Sequence, residues 1–229
     1  MPGRILAIGD IHGCDVALET ILQTMAPKAE DTVIVLGDVI DRGPNTRRAI
    51  DLLIELQDNT DLVFLMGNHE EMLLSIAFRT GQATMEDWLS FGGQESLDSY
   101  GGKMKDIPEE HLEFLATQIS YEETETDIFV HAVVDAELPL EEQPPGIMRW
   151  GRLTGNELRH CSGKRVVCGH TCQQSGVPLV FDGWVCIDTW VYGDGFLTCL
   201  DVESNIFWQA NQQGELLAAR PLTMGEETG

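Results

Sequence analysis

Positive charge is scarce in this chain of 229 residues. Lysine and arginine together number 14, against 38 aspartate and glutamate residues, which gives a formal net charge of -24. Proteins that bind the phosphate backbone of nucleic acids present basic surfaces, so this balance argues against a nucleic-acid partner. A ligand that carries phosphate would still need a local positive centre, which bound metal ions could supply.

Long apolar runs and paired cysteines are also missing. No apolar stretch approaches the roughly 18 residues that a membrane-spanning helix needs, and no cleavable hydrophobic leader precedes the first predicted strand. The six cysteines show no C-x-x-C spacing, and Cys168 and Cys172 flank His170 without the second pair of ligands of a structural zinc site. We therefore expect reduced thiols, a cytoplasmic location and no membrane partner.

Apolar β-rich runs alternate with helical patterns in the first third of the chain. The runs cover residues 4–8, 32–36 and 62–66. Helices are expected to start at Asp15, at Asn45 or Thr46, and near His69, because apolar residues recur there at helical spacing. This β-α-β-α-β-α order predicts parallel strands joined by right-handed crossovers.

The rest of the chain divides into a helical and a β-rich part. Residues 84–117 carry a helical pattern without a metal-ligand cluster, which predicts an insert or flank, whereas after residue 128 the pattern turns β-rich. Asp182-Gly183 is typical of a two-residue hairpin turn. Because ligand motifs lie on both sides of the proline-containing stretch 137–146, we interpret residues 1–229 as one domain.

Some polar residues are expected at the surface. The acidic tracts 121–127 and 225–227 are interpreted as solvated surface. His111 and His160 lie among polar neighbours and are likewise predicted to be surface residues.

Five short segments contain side chains that bind metals. They are Gly9-Asp10-Ile11-His12-Gly13, Gly37-Asp38-Val39-Ile40-Asp41-Arg42-Gly43, Gly67-Asn68-His69-Glu70, Val130-His131-Ala132 and Cys168-Gly169-His170-Thr171. The first three follow predicted parallel strands, whose carboxyl ends gather at one edge of a sheet. Singly, each residue could be a helix cap, a turn residue or a core histidine, but the joint pattern favours metal chemistry.

Together the segments resemble the phosphoprotein-phosphatase branch of the calcineurin-like metallophosphoesterases, in a short form similar to bacterial and phage Ser/Thr protein phosphatases. The resemblance runs from Gly9 to about Asp201. It implies an α/β fold, a four-layer α/β/β/α sandwich of two mixed sheets flanked by helices. It also implies two divalent metal ions, with Mn²⁺ expected and Fe or Zn²⁺ as alternatives. One ion would take Asp10, His12 and Asp38, and the other Asp38, Asn68, His131 and His170.

The resemblance also implies roles in substrate binding and proton transfer. His69 is expected to be the general acid for the leaving oxygen, with its imidazole held by Asp41. Phosphate contacts are expected from Arg42, from Asn68 and from Arg152, the arginine of a W-x-R pattern. Arg149 lies close enough in sequence to be a rival of Arg152.

The implied reaction is hydrolysis of phosphomonoesters by direct attack of a metal-bridging hydroxide, most simply on phosphoserine and phosphothreonine of proteins. A symmetrical diadenosine-tetraphosphate hydrolase is the alternative within the family, although the sparse basic residues argue mildly against a polyphosphate substrate. A non-catalytic metal-binding module is the alternative from another class, but His69, Arg42 and all the ligands are present. Val133 and Trp190 depart from the family, which often has glycine at both positions.

Overall fold

The chain begins with three strands that alternate with three helices. In the computed structural model, which describes residues 3–224, the strands are β1 (Ile5–Ile8), β2 (Thr32–Val35) and β3 (Asp61–Phe64). The helices are α1 (Asp15–Met25), α2 (Thr46–Gln57) and α3 (Asn68–Phe78). Because β2 pairs in parallel with both β1 and β3, the predicted order of parallel strands and helices is confirmed.

The starts of the first two helices differ in how well the sequence predicts them. Asn45 caps α2 as predicted, since its side chain accepts a hydrogen bond from the Arg48 backbone N–H at 3.3 Å. Asp15 is instead the first helical residue of α1, and Cys14 occupies the cap position without a side-chain bond. The Asp15 carboxylate accepts hydrogen bonds from the Asn45 and Gln212 side-chain amides, both at 2.8 Å, and so ties α1 to its neighbours.

The segment that follows α3 is helical, as predicted. It contains α4 (Met85–Trp88), a π-turn (Leu89–Gly93), α5 (Gln94–Tyr100), a short 3₁₀ turn (Met104–Asp106) and α6 (Glu109–Leu115). These helices pack against α2 and α3 and bury Leu97, Phe114 and Leu115 in the same core. The assignment of residues 1–229 to one domain, with residues 84–117 as insert or flank, stays a prediction.

The second half supplies the remaining strands and one further helix. These are β4 (Tyr121–Glu123), β5 (Asp127–Val130), α7 (Pro145–Trp150), β6 (Arg165–Cys168), β7 (Leu179–Phe181), β8 (Trp184–Cys186), β9 (Leu197–Asp201), β10 (Ile206–Ala210) and β11 (Leu216–Pro221). One sheet has the order β11-β10-β9-β1-β2-β3 and the other β4-β5-β6-β8-β7. Both sheets are mixed, because β9 runs antiparallel to β1 and β4 runs antiparallel to β5.

Three apolar clusters define the layers. Ala7, Ile34, Phe129 and Val185 belong to the cluster between the two sheets, to which strands of both sheets contribute. A larger cluster lies between the first sheet and helices α1, α2, α3, α5 and α6. The outer face of the second sheet packs against α7 and the neighbouring loops. The predicted four-layer sandwich is therefore confirmed, with a thinner outer layer over the second sheet.

Several surface predictions are wrong. In the acidic tract 121–127, Glu123 and Glu125 are exposed as predicted, but Asp127 at the start of β5 is buried beside Arg165. His111 is buried and bonds the Tyr100 hydroxyl at 2.8 Å, and His160 is buried beside Ser162. In each case a partner distant in sequence or a local turn satisfies the polar group, which a local polarity pattern does not reveal. Residues 225–227 lie outside the described residues.

The structure can also be compared with the expectations that no helix spans a membrane and that the cysteines are reduced. From residue 3 to residue 224, no helix is long and apolar enough to cross a lipid bilayer. All six cysteines are free, and four of them are buried.

Candidate metal centre

The candidate ligands lie at the carboxyl ends of strands from both sheets. Asp10, Asp38 and Asn68 follow β1, β2 and β3, whereas His131 and His170 follow β5 and β6. The two sheets pack face to face, so their strand ends meet at one edge of the sandwich. The structure therefore brings together residues that lie up to 160 positions apart, as the Asp10–His170 contact illustrates.

Four ligand atoms converge on one point. Asn68 Oδ1 lies 3.0 Å from His170 Nδ1 and 3.1 Å from His131 Nε2, and the two ring nitrogens are 3.2 Å apart. Asp38 Oδ2 lies 3.5 Å from His131 Nε2. Two oxygens and two imidazole nitrogens in this arrangement form a mixed N/O donor set suited to a divalent transition metal.

The protonation of these histidines fits a metal between them. His131 Nδ1 lies 2.8 Å from the Leu36 carbonyl oxygen, so this nitrogen carries the proton and Nε2 presents its lone pair to the site. Burial lowers the pKa of His131, and burial together with the His131 neighbour lowers the pKa of His170 to about 4. Both rings are therefore neutral at pH 7, the form in which an imidazole nitrogen can bind a metal ion.

A second group of ligand atoms adjoins the first. The ligand atoms of His12, Asp38 and His69 lie within 4.8 Å of one another. His12 Nδ1 lies 2.9 Å from the Ile40 carbonyl, so that His12 Nε2 also points a lone pair into the site. Asp10, which we expected in this group, lies outside it at that separation, and its carboxylate accepts the His170 backbone N–H at 3.1–3.2 Å.

Buried carboxylates give the centre an excess of negative charge. Burial raises the pKa of Asp10 well above its ordinary value, and the charges of Asp188 and Asp38 add to this effect. Burial likewise raises the pKa of Asp188 to about 7, and Asp188 Oδ2 has no hydrogen-bond partner among the described residues. Positive charge between these carboxylates would offset their repulsion, so the donor set fits bound divalent metal ions.

His69 and Asp41 form a buried pair beside the ligands. His69 Nδ1 donates to Asp41 Oδ2 at 2.7 Å, while His69 Nε2 faces the site without a hydrogen-bond partner in the described part of the chain. Burial lowers the pKa of His69, but the Asp38 and Asp41 carboxylates outweigh burial, so that the net shift is upward. His69 can therefore present a proton to the site.

The helical segment supplies two side chains that sequence reasoning missed. Trp88 Nε1 donates to Asp41 Oδ2 at 2.8 Å, and the Ser96 hydroxyl donates to Asp41 Oδ1 at 2.7 Å. Trp88 is fully buried, and its indole N–H helps to orient the carboxylate that holds His69. A buried tryptophan with a helical spacing gives no sequence signal for this contact.

Glu70 is a further residue without a role in the sequence prediction. Its carboxylate is buried and accepts hydrogen bonds from the backbone N–H groups of Asp38, Val39 and Ile40 at 2.9, 2.8 and 3.3 Å. It thereby fixes the turn that carries Asp38. Its place in the segment Gly67-Asn68-His69-Glu70 is the sequence signal that could have indicated this function.

The backbone is strained around the site. Six of the residues with positive φ outside glycine lie in the loops of the centre: His12, Asp38, Asp41, Arg42, His170 and Trp190. Such conformations cost on the order of 1–3 kcal/mol each and persist where the surrounding structure determines them, commonly at functional sites. Trp190, at φ 65°, adopts a backbone conformation that favours glycine, the residue that the resemblance led us to expect at this position.

The three candidate arginines differ in availability. Arg42 lies next to the ligands, with Nη1 3.0 Å from His12 Nε2 and its guanidinium 4.7 Å from the centre of the Tyr192 ring. Arg149 is engaged by the Glu71 carboxylate. Arg152 is exposed, and its charge contributes to the lowered pKa of His170. Of the two rival arginines, Arg152 is therefore the more accessible to a ligand.

The carboxylate, amide and imidazole groups gathered at this edge of the fold fit a divalent metal centre. The sequence model of the calcineurin-like phosphoesterase family matches residues 3–180, and the chain belongs to that family.

Curated relatives match a shorter part of the chain. The chain is 37% identical over 86 residues to the symmetrical bis(5′-nucleosyl)-tetraphosphatase of Acidovorax ebreus (strain TPSY). The matched segment covers 37% of this chain and 30% of that protein. Over 91 residues the chain is 33% identical to serine/threonine-protein phosphatase 1 of Salmonella typhimurium (strain LT2), which covers 39% of each protein. The chain thus spans about a third of the length of the curated relatives it matches.

Solved structures share the fold over nearly the whole chain. A candidate diadenosine tetraphosphatase has a TM-score of 0.68 at 19% identity and covers 98% of this chain and 96% of its own. The cold-active protein-tyrosine phosphatase of a Shewanella species has a TM-score of 0.64 at 17% identity. The match covers 95% of this chain and 80% of that one. At these identities the likeness establishes the fold alone.

Proposed function

We propose that this protein is a two-metal hydrolase of symmetrical dinucleoside tetraphosphates. The sequence favoured phosphoserine and phosphothreonine on proteins, but the tetraphosphatase relatives match the chain somewhat better than the Ser/Thr phosphatase relative. The observation that carries the hydrolytic proposal is the convergence of Asn68, His131 and His170 beside Asp38, with the proton-bearing His69 at the same edge.

The proposed ligands divide into two sets that share one carboxylate. Asp10, His12 and Asp38 would hold one ion, and Asp38, Asn68, His131 and His170 the other. When bound, two divalent ions supply positive charge to phosphoryl oxygens and lower the pKa of water at the site. Mn²⁺ remains the metal we expect, because the donors are mixed imidazole, amide and carboxylate groups. Elemental analysis of protein purified without added metal would identify the native ion.

His69 is the proposed source of the proton for the leaving oxygen. Its Nδ1–H is fixed by Asp41, so that Nε2 points into the site. Because the Asp38 and Asp41 carboxylates raise the pKa of His69, the protonated form persists at higher pH than in an isolated histidine. Trp88 and Ser96 hold Asp41 and therefore act as positioning residues.

Arg42 and Arg152 are the proposed phosphate ligands, together with the Asn68 amide. A guanidinium offers a planar fork of N–H donors that matches two phosphoryl oxygens. Arg42 is kept near the centre by its backbone N–H, which donates to the Gly92 carbonyl at 3.0 Å, and by the Tyr192 ring. Arg152 is exposed and therefore accessible to a longer substrate.

The low number of basic side chains at the site favours a second candidate, hydrolysis of phosphoserine or phosphothreonine on proteins. The tetraphosphate carries more negative charge than one phosphoryl group, and the whole chain has a net charge of -24. The two candidates are separated by measuring kcat/KM for diadenosine tetraphosphate and for phosphoserine, phosphothreonine and phosphotyrosine peptides with Mn²⁺.

We expect the dinucleotide to give the highest kcat/KM and two adenosine diphosphates as the products. A higher kcat/KM for a phosphopeptide would overturn the substrate proposal and leave the hydrolytic site standing. Lack of hydrolysis of every ester, p-nitrophenyl phosphate included, would favour the non-catalytic metal-binding module.

A further inference from the structure

Two exposed aromatic side chains extend from the buried centre to the surface. Phe91 and Trp150 are 39% and 40% exposed, and their rings meet edge to face with centroids 5.9 Å apart. Phe91 also meets the His69 ring edge to face at 6.0 Å. The three rings form a continuous row that begins at the proposed general acid and ends in solvent.

Phe91 is anchored to the site by the backbone. It lies within the π-turn Leu89–Gly93, an irregularity that occurs frequently at functional sites. Gly92 adopts φ 101°, and its carbonyl accepts the Arg42 backbone N–H at 3.0 Å. A Cβ on Gly92 would come within 2.8 Å of the Arg42 side chain, so the turn fits closely against the proposed phosphate ligand.

Trp150 is oriented by a hydrogen bond of its own. Its indole Nε1–H donates to Glu71 Oε2 at 2.7 Å, while the other Glu71 oxygen binds Arg149. Glu71 follows His69 and Glu70 on helix α3, so the same helix places the acid and the tryptophan. Two aromatic faces are therefore held in fixed orientation beside the centre rather than packed in the core.

We propose that Phe91 and Trp150 form a stacking subsite for the base of a bound nucleotide. The identity of the substrate rests on the function proposed above. Flat aromatic rings bind any base through its π-face, and ring stacking is a common source of affinity for unpaired bases. The row of rings touches His69, so the base it binds belongs to the nucleotide that leaves when His69 protonates the departing oxygen.

The row also has the composition that a base requires. A phosphate would seek cationic donors, but Arg149, whose guanidinium shares Glu71 with the Trp150 indole, is already paired. In a nucleotide, the ribose separates the base from the 5′-phosphates. In this protein, Phe91 and His69 likewise lie between the exposed Trp150 and the candidate metal ligands. The charged phosphates would therefore lie at the cationic Arg42, and the flat base would lie against the aromatic rings of Phe91 and Trp150.

The subsite is tested by binding rather than by turnover. The full chain, loaded with Mn²⁺, is titrated with α,β-methylene adenosine diphosphate and with methylene diphosphonate, a pair of non-hydrolysable ligands that differ in the nucleoside. We expect the nucleoside to tighten binding about tenfold or more in the unaltered protein, as base stacking on aromatic side chains does elsewhere. In the double variant Phe91→Leu, Trp150→Leu, the preference for the nucleoside ligand over methylene diphosphonate should fall to about threefold or less.

Two control variants separate stacking from folding. Phe78→Leu changes an exposed phenylalanine at the end of α3 and should leave the preference unchanged. Trp150→Phe keeps a ring but removes the Glu71 hydrogen bond, and should lose affinity for the nucleoside ligand to an intermediate extent. Quenching of tryptophan fluorescence by the nucleoside ligand should be reduced in Trp150→Phe, which gives a second readout if the double variant does not fold.

The outcomes distinguish the subsite from the proposed function. Absence of a preference in the unaltered protein, or its persistence in a folded double variant, would overturn the subsite even if diadenosine tetraphosphate is cleaved. A preference that the variants abolish, combined with better hydrolysis of phosphopeptides than of the dinucleotide, would overturn the substrate proposal and leave a nucleotide-binding subsite in place.

Discussion

At the scale of single residues, Asp38 connects most of the parts of the site. Its Oδ1 accepts the His69 backbone N–H at 3.1 Å, and its Oδ2 lies 3.8 Å from His12 Nε2 and 3.5 Å from His131 Nε2. Glu70 fixes the backbone on which it stands. One carboxylate thus faces both proposed metal positions and also the first turn of α3, which carries the proposed general acid.

The roles of His69 lead to a kinetic prediction. His69→Asn keeps a donor toward Asp41 but removes the proton at Nε2, so kcat should fall by about 10²–10⁴-fold while metal content is unchanged. The loss should be smaller with p-nitrophenyl phosphate, because its leaving group needs little protonation. Steady-state kinetics on activated and unactivated substrates measure this difference, and equal losses on both would show that His69 is not the acid.

The two arginines of the W-x-R region should behave differently. Arg152→Ala removes an exposed phosphate ligand and should raise KM with little change in the free energy of unfolding. Arg149→Ala leaves Glu71 without its cation and should instead lower stability by about 1 kcal/mol, since the pair is largely buried. Kinetics and urea denaturation of both variants test this contrast. A larger rise in KM for Arg149→Ala would reverse the assignment of the two side chains.

The metal-ligand types could be read from the sequence, whereas several contacts around them could not. Asp38 and Asn68 stand directly after strands, where the fold class places functional residues. Trp88 and Ser96 reach Asp41 across 47 and 55 positions, through a helical segment whose docking is decided by tertiary packing. The contact of the Asp10 carboxylate with the His170 backbone N–H joins the two sheets across 160 positions, and local spacing does not reveal it.

At the scale of secondary-structure elements, the apolar strands and amphipathic helices were predictable, but two of the edge strands, β4 and β11, were not. The buried strands β1, β2 and β6 read as continuous apolar runs, as expected of parallel strands covered on both faces. β4 contains two glutamates, and β11 is mostly exposed. Such edge strands form through backbone pairing with a neighbour, so their sequences lack the hydrophobic pattern.

The buried carboxylate of Asp31 links the residues that precede strands β1 and β2 and makes the free energy of unfolding depend on pH. Asp31, just before β2, accepts Arg4 Nη2 at 2.6 Å and the backbone N–H groups of Arg4 and Lys28 at 2.8 and 3.0 Å. Hydrogen bonding to Arg4 lowers the pKa of Asp31 to about 2. Because the folded pKa lies below the ordinary value, this stabilisation is present above about pH 4 and is lost as the pH falls toward 2.

Asp31→Asn should therefore lower the free energy of unfolding by about 2 kcal/mol at pH 7, and by less at pH 3. Urea denaturation of both proteins at the two pH values gives the difference. Glu30→Gln, at an exposed neighbouring position, is the matched control and should change stability little. An equal destabilisation by Asp31→Asn at both pH values would mean that its charge contributes nothing.

At the scale of the whole molecule, the fold concentrates negative charge at the edge where both sheets end. Asp10, Asp38 and Asp188 are buried there, in a chain whose net charge is already -24. Ions that bind the folded state and not the unfolded chain stabilise it by mass action. The Tm should therefore rise on addition of Mn²⁺ and fall in excess chelator, as followed by calorimetry. An identical Tm under both conditions would contradict a resident metal.

The position and number of the ions test the account most directly. Crystals of the protein grown with Mn²⁺ would be measured at a wavelength where manganese scatters anomalously. We predict two anomalous peaks, one among Asp10, His12 and Asp38 and the other among Asp38, Asn68, His131 and His170. A single peak in fully loaded protein, or peaks that avoid the carboxyl ends of the strands, would contradict the two-metal site.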